Sequence, residues 1–318
     1  MVYNVVRFAG NALTADITTA FVHLETAPVD HPSLTILCWD SASTHSPVPH
    51  IPWSPNAYIA TGPNDAAAKG YIKGYNTDTI ITVHQLGSDI LRLYDRSTHT
   101  ALFYIKSLQA IFYHQHIRDI LHWWCKSLPL QLVHAGAVGT PEGGVLLTGK
   151  GGSGKSTTAL ACFMSPLDYI GDDYVLITSA PTPYVYSLYQ TARLNSKSLE
   201  MLPDLAKTIS NPNRPDDEKA QLLLHDHFPE KLRQAMPIKA LFLPRVTFKK
   251  NTRLIPATSV EALFSIAPTS VMYMSIDRKI AFEKMRALAH AVPSFWLELG
   301  TDLKQIPLVI ADYLEQAT

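Results

Sequence analysis

Residues 149–156 read Gly149-Lys150-Gly151-Gly152-Ser153-Gly154-Lys155-Ser156, the spacing G-x-x-x-x-G-K-[ST]. Glycines at those places let the chain curl until consecutive backbone N–H groups face inward, toward phosphate oxygens. Lys155 adds a positive charge for the β- and γ-phosphates, and the Ser156 hydroxyl can ligate Mg²⁺. One helix and a return later, Asp172 and Asp173 stand between the apolar runs Tyr169-Ile170 and Tyr174-Val175-Leu176. A carboxylate at a strand end beside a phosphate loop can hold Mg²⁺, directly or through water. A second one can accept the proton of an attacking hydroxyl. Paired aspartates are also ordinary turn chemistry, and the phosphate loop close by favours the chemical reading. His134 lies upstream, where it could orient a carboxylate or simply be a polar residue at a strand entrance.

Such residues need particular elements behind them. The apolar run 145–148 suits a buried strand, and 156–163 continues as a helix whose N-terminus faces the loop. That arrangement sets a helix dipole behind a bound anion. From about residue 130 onward the signals alternate. Residues 144–148, 168–170, 174–178, 184–189, 239–244 and 294–299 read as strands; 156–163, 260–266, 276–291 and 306–316 read as helices. The first hundred residues are β-rich, with strands expected at 35–39, 79–83 and 101–105. The Ser/Pro/His-rich stretch 40–55 reads as a surface loop. Apolar residues recur at helical spacing over 107–128, until Pro129, and predict a connecting helix whose Trp123-Trp124 pair belongs to a core. The organisation expected is a β-rich domain over 1–106, a helix over 107–129 and an α/β nucleotide domain over 130–318.

Composition removes several classes of function. Hydrophobic residues are 47% and charged ones 17%, enough apolar material for a sizeable core. Lys+Arg and Asp+Glu both total 27, so no basic excess argues for nucleic acid. Cys38, Cys125 and Cys162 are widely spaced and unpaired in pattern, which is neither a disulfide framework nor a zinc site. The N-terminus lacks the pattern of a secretory signal, and no apolar run reaches membrane-spanning length. Cytoplasm is the expected compartment, with no membrane or nucleic-acid partner.

Read together, His134-Ala-Gly-Ala-Val, Gly144-Val-Leu-Leu-Thr-Gly, the loop 149–156 and Gly171-Asp-Asp-Tyr-Val-Leu resemble the HPr kinase/phosphorylase superfamily, which is related to phosphoenolpyruvate carboxykinases. The resemblance covers about 132–178 and continues more loosely through 185–194. It implies an α/β fold, a P-loop kinase domain of HPr-kinase/PEP-carboxykinase type, here behind a β-rich N-terminal domain. It implies that Gly149, Lys150, Gly151, Gly152, Ser153, Gly154, Lys155, Ser156 and Thr157 bind ATP, with Ser156 and Asp172 supporting Mg²⁺. Asp173 would deprotonate an acceptor serine, Lys155 would act on the transferred phosphoryl group, and His134 would sit beside the acidic pair. Two departures stand out. Thr157 and Thr158 follow the loop serine where the regulatory enzyme carries a glutamate, and its Glu-x-Arg-Gly signature has no counterpart. These put HPr as substrate, and any reverse phosphorolysis, in doubt. The chain looks more like the divergent kinase-like branch, some of whose members resemble lasso-peptide tailoring kinases, which phosphorylate a C-terminal serine of a precursor.

The leading expectation is therefore phosphoryl transfer from ATP to a serine hydroxyl on a protein or peptide. Two others stay open: a nucleotide-binding sensor or interaction protein, and a kinase of free serine. The double aspartate argues against the first, because binding alone needs no base. Arg193 and Lys219 are additional cations that the pattern leaves between phosphate contact and solvated charge. A homo-oligomer is an expectation carried only by the resemblance, whose regulatory members are hexamers.

Overall fold

In a computed structural model, the protein is described at residues 4–47, 58–60, 69–72, 77–85, 90–106, 116–272 and 278–317. The chain divides into two compact units. The first takes Met1–Ala20 and Glu25–Ser127, and the second takes Phe21–Leu24 and Leu128–Thr318.

In the first unit the described strands are Asn4–Ala9 (β1), Leu34–Asp40 (β2), Tyr58–Ala60 (β3), Lys69–Ile72 (β4), Ile80–Gln85 (β5), Ile90–Asp95 (β6) and Thr100–Ile105 (β7). They form one sheet in the order β1-β2-β7-β6-β5-β4-β3. β1, β2 and β7 run parallel, and the rest are antiparallel. Helix Thr14–Phe21 (α1) follows β1, its Ile17 and Ala20 buried together with Leu13 just ahead of it. The expected loop over 40–55 contains a short helix, Ser41–Thr44 (α2). Asp40 caps it by accepting a hydrogen bond from the Ser43 N–H. Its part at 48–55 lies outside the described residues. So does the 107–115 part of the expected long helix. Beyond it, Arg118–Trp124 (α3) is helical and runs into a 3₁₀ turn at Cys125–Ser127. Trp123 and Trp124 are buried, and the Trp124 indole donates to the Ser33 carbonyl.

The second unit is an α/β sandwich. Its strands are Gln131–Val133 (β8), Ala135–Thr140 (β9), Gly143–Thr148 (β10), Asp168–Gly171 (β11), Val175–Thr178 (β12), Tyr184–Tyr186 (β13), Thr191–Leu194 (β14), Ala220–Leu223 (β15), Ala235–Val246 (β16), Arg253–Ala257 (β17) and Ser294–Leu299 (β18). Its helices are Lys155–Phe163 (α4), Ser196–Glu200 (α5), Ser259–Met272 (α6), Arg278–Ala291 (α7) and Gln305–Gln316 (α8). The main sheet runs β11-β9-β10-β16-β13-β12-β8, with β18 also on β16 and β17 on β18. β10, β16 and β18 are parallel.

Both faces of this sheet are covered, which is why β10 reads as an unbroken apolar run. Val145 and Leu147 pack with α4 and α8, whereas Leu146 packs with α6 and α7. One expected strand is shorter than its pattern: 184–189 pairs only as far as Tyr186. Past that point the Ser187 N–H turns to the Gln234 carbonyl. All three cysteines are free and buried, and burial pushes the Cys38 thiol up to about 12. Among the described residues, no helix is long and apolar enough to cross a membrane.

Candidate active site

The loop 149–154 leaves the end of β10 and enters α4. Gly149, Gly152 and Gly154 all have positive φ, at 155°, 77° and 104°. Gly154 is the N-cap of α4 in the left-handed region, and no side chain caps the helix. The first-turn N–H groups thus have no capping side-chain oxygen, the condition in which a helix N-terminus can take an anion. The backbone at Gly154 demands glycine, and a Cβ there would also come within 2.3 Å of Leu299 Cδ1, so that side-chain tip would have to shift. Lys155 is buried and turned back over the loop, its ammonium donating to the carbonyls of Gly149 at 2.6 Å and Lys150 at 3.2 Å. The Thr157 hydroxyl lies 2.9 Å from that of Ser198.

The acidic pair sits where two strand-to-strand crossings face each other. Asp172 and Asp173 join β11 to β12, and His134 joins β8 to β9. The registers Val133↔Val175 and Ala137↔Gly171 bring these two joints side by side. His134 Nε2 donates to Asp173 Oδ1 at 2.9 Å, and the His134 backbone N–H donates to the Ser270 hydroxyl on α6. The Tyr174 ring lies 5.3 Å from that of His134, centroid to centroid. The Tyr174 N–H bonds back to the Asp172 carbonyl at 2.8 Å, and the residue between them, Asp173, has φ 71°. A two-residue return closed around a positive φ is a strained γ-turn, held only where surrounding contacts over-determine it.

The two carboxylates differ in surroundings. Asp172 is 1% exposed, and neither of its oxygens has a well-formed hydrogen-bond partner. Burial, then the charge of Asp173, raises its pKa; hydrogen bonding from the Ser156 hydroxyl and the Asp173 N–H, and the charge of Lys155, pull the other way. The Asp173 side chain is 25% exposed and anchored by His134. Lys155 is depressed by desolvation, while Asp172 and Asp173 favour its charged form. Lys219 is near enough for its charge to depress Lys155 further. Beneath the pair, the Tyr169 hydroxyl is kept protonated by burial and by both aspartates.

The structure thus brings Lys155, Ser156, Asp172, Asp173 and His134 into one electrostatic neighbourhood at the loop. Arg193 is on β14, opposite Gln221. Sequence reasoning missed Ser270 and Ser265, both on α6. Ser265 shares a hydrogen bond with Thr148 at the end of β10. Neither serine carries a local signal, because each meets its partner across more than a hundred residues. Such an arrangement can hold a polyphosphate by main chain and lysine, and present a buried and an accessible carboxylate beside it.

No family model and no curated protein matches the chain. Among solved structures it is similar to the Hpr(Ser) kinase/phosphatase from Coxiella burnetii, at 13% identity and a TM-score of 0.33. The match covers 58% of this chain and 94% of that one.

Proposed function

We propose that the second unit is an ATP-dependent phosphotransferase that phosphorylates a serine hydroxyl on a protein or peptide. The observation that carries this reading is the division of the acidic pair beside the loop. One carboxylate is almost fully buried, beside the Ser156 hydroxyl and Lys155, and the other is accessible and oriented. Burying a carboxylate beside a second acid is costly, and a cation held between it and the phosphate loop would offset that cost. Asp172 and the Ser156 hydroxyl fit Mg²⁺, whose remaining ligands would be phosphate and water. Mg²⁺ held there would supply charge neutralisation for the transferred phosphoryl group.

The chain's own residues supply the rest. The loop N–H groups and the first turn of α4 hold the phosphates, and Lys155 leaves the loop carbonyls for them. Asp173 accepts the proton of the serine hydroxyl as its oxygen bonds to the γ-phosphorus and the bond to the bridging oxygen breaks, releasing ADP. His134 donates to Asp173 Oδ1 and so fixes the direction in which the base points. The missing Glu-x-Arg-Gly signature favours a forward kinase, and a precursor peptide of the lasso type is the acceptor class the sequence resemblance suggests.

The test is direct. The full chain is incubated with γ-labelled ATP, Mg²⁺ and serine-bearing peptides, and phosphoserine is sought by mass spectrometry. Label on peptide serine supports the proposal, and label on free serine moves the acceptor class. Bound ATP that is never turned over in any acceptor mixture leaves only a nucleotide holder.

A further inference from the structure

The main sheet fixes which way a nucleotide must lie. Along it the order is β11, β9, β10, β16, and β18 follows on β16. The aspartates follow β11, on one side of β10. A terminal phosphate facing them therefore puts the nucleoside half on the other side of the loop, over the carboxyl ends of β16 and β18. There Leu299 and Val246 form the wall, with Val246 Cγ2 3.8 Å from the position of a Cβ on Gly154.

Two residues beyond Val246 stands Phe248, 83% exposed, with φ 57°. Its turn is not a loose excursion. The Thr247 N–H and hydroxyl both donate to the Leu299 carbonyl, Thr301 N–H donates to the Lys249 carbonyl, and Gly300 N–H donates to the Thr252 hydroxyl. Gly300 packs so closely that a Cβ would meet the Lys250 carbonyl oxygen at 2.5 Å. A rigidly held turn that gives an aromatic ring to solvent at a positive φ spends stability without burying area. The cations nearby do not explain it, since Arg245 and Arg253 are both engaged by Glu298, at 2.7 and 2.6 Å. Two residues of chain reach about 7 Å, comparable to the ribose between a base and its α-phosphate.

We infer that the β16–β17 turn is the nucleoside subsite, with the base stacked on Phe248 and the ribose against Val246. The inference rests on the reading that residues 149–156 hold a nucleoside triphosphate. It predicts a pocket read by stacking rather than by hydrogen bonds, and so tolerant of the base.

Calorimetric titrations of the full chain with Mg·ATP and with Mg·tripolyphosphate separate the inference from its premise. Phe248→Ala is expected to weaken ATP about tenfold and to leave tripolyphosphate unchanged. Phe248→Trp is expected to keep ATP affinity, and its fluorescence, above that of the wild type, is expected to be quenched by ATP and not by tripolyphosphate. Unchanged ATP affinity in Phe248→Ala, or no ATP-specific quenching in Phe248→Trp, overturns the subsite while tripolyphosphate binding keeps the loop reading intact. A wild-type chain that binds neither ligand overturns both. Should Phe248→Ala lose both ligands through misfolding, the Phe248→Trp quenching decides.

Discussion

Asp172 and Asp173 are neighbours in sequence with opposite surroundings, and that contrast assigns their work. Burial and the like charge of Asp173 make Asp172 costly to keep ionised, so it is retained against the interest of the ligand-free fold. Asp172→Asn is therefore expected to stabilise the metal-free chain at pH 8, by about 1 kcal/mol, while abolishing phosphoryl transfer. Urea denaturation in the presence of a chelator measures it; a midpoint that stays put or falls would mean that the carboxylate is satisfied in solution. Asp173→Asn and Lys155→Ala separate chemistry from binding. Removing the base is expected to lower kcat by about 10²–10⁴-fold with ATP affinity nearly kept. Removing the lysine costs both. Equal loss of ATP affinity in the two variants, by calorimetry, would contradict this division. These residues were legible because their roles require local spacing: loop glycines, lysine and serine in one run, and two acids one helix later.

Elements are legible only where their own residues announce them. β10 and α4 do so through an apolar run and glycine punctuation. β9, reading Ala-Gly-Ala-Val-Gly-Thr, does not, because its small residues answer to neighbours rather than to strand propensity. Gly139 lies against Gly144, where a Cβ would fall 2.4 Å from its Cα. α1 hides for another reason: Leu13, Ile17 and Ala20 recur at helical spacing, but its threonines favour strands. The most exacting junction is Gly154, where β10's loop, α4 and the end of β18 meet. Gly154→Ala must accept both a left-handed backbone and a clash with Leu299. It is expected to destabilise the second unit by about 1–3 kcal/mol and to weaken ATP binding at least tenfold. Wild-type ATP affinity in a folded Gly154→Ala protein would show that the loop does not need this geometry to bind.

At the scale of the whole chain, adjacency in space departs furthest from adjacency in sequence. β7 lies beside β2 in the first unit's sheet although four strands intervene, and Phe21–Leu24 groups with the second unit although residues on either side belong to the first. Neither pairing has a local signature, so the domain pattern could be read from sequence only in outline. In the second unit His23 Nε2 lies 2.7 Å from the Ser187 hydroxyl, and the Phe21 ring packs 5.2 Å from that of Tyr189. Burial, helped by the charge of His225, lowers the His23 pKa from 6.5 to about 4. The imidazole is thus neutral in the fold and accepts from Ser187, while the unfolded chain takes up a proton below 6.5. Stability from this residue is fully present above that value and is lost as pH falls toward 4. Allowing for its partial exposure, the loss is about 2 kcal/mol. His23→Gln keeps an acceptor for Ser187 but cannot titrate, so its stability should fall less between pH 7 and 4.5 than that of the wild type. Hydrogen exchange of the β16 amides in low urea reads the second unit alone, and carboxylates that titrate in both proteins cancel in the comparison. Parallel pH slopes for the two proteins would mean that His23 is already protonated in the fold, or is not buried there.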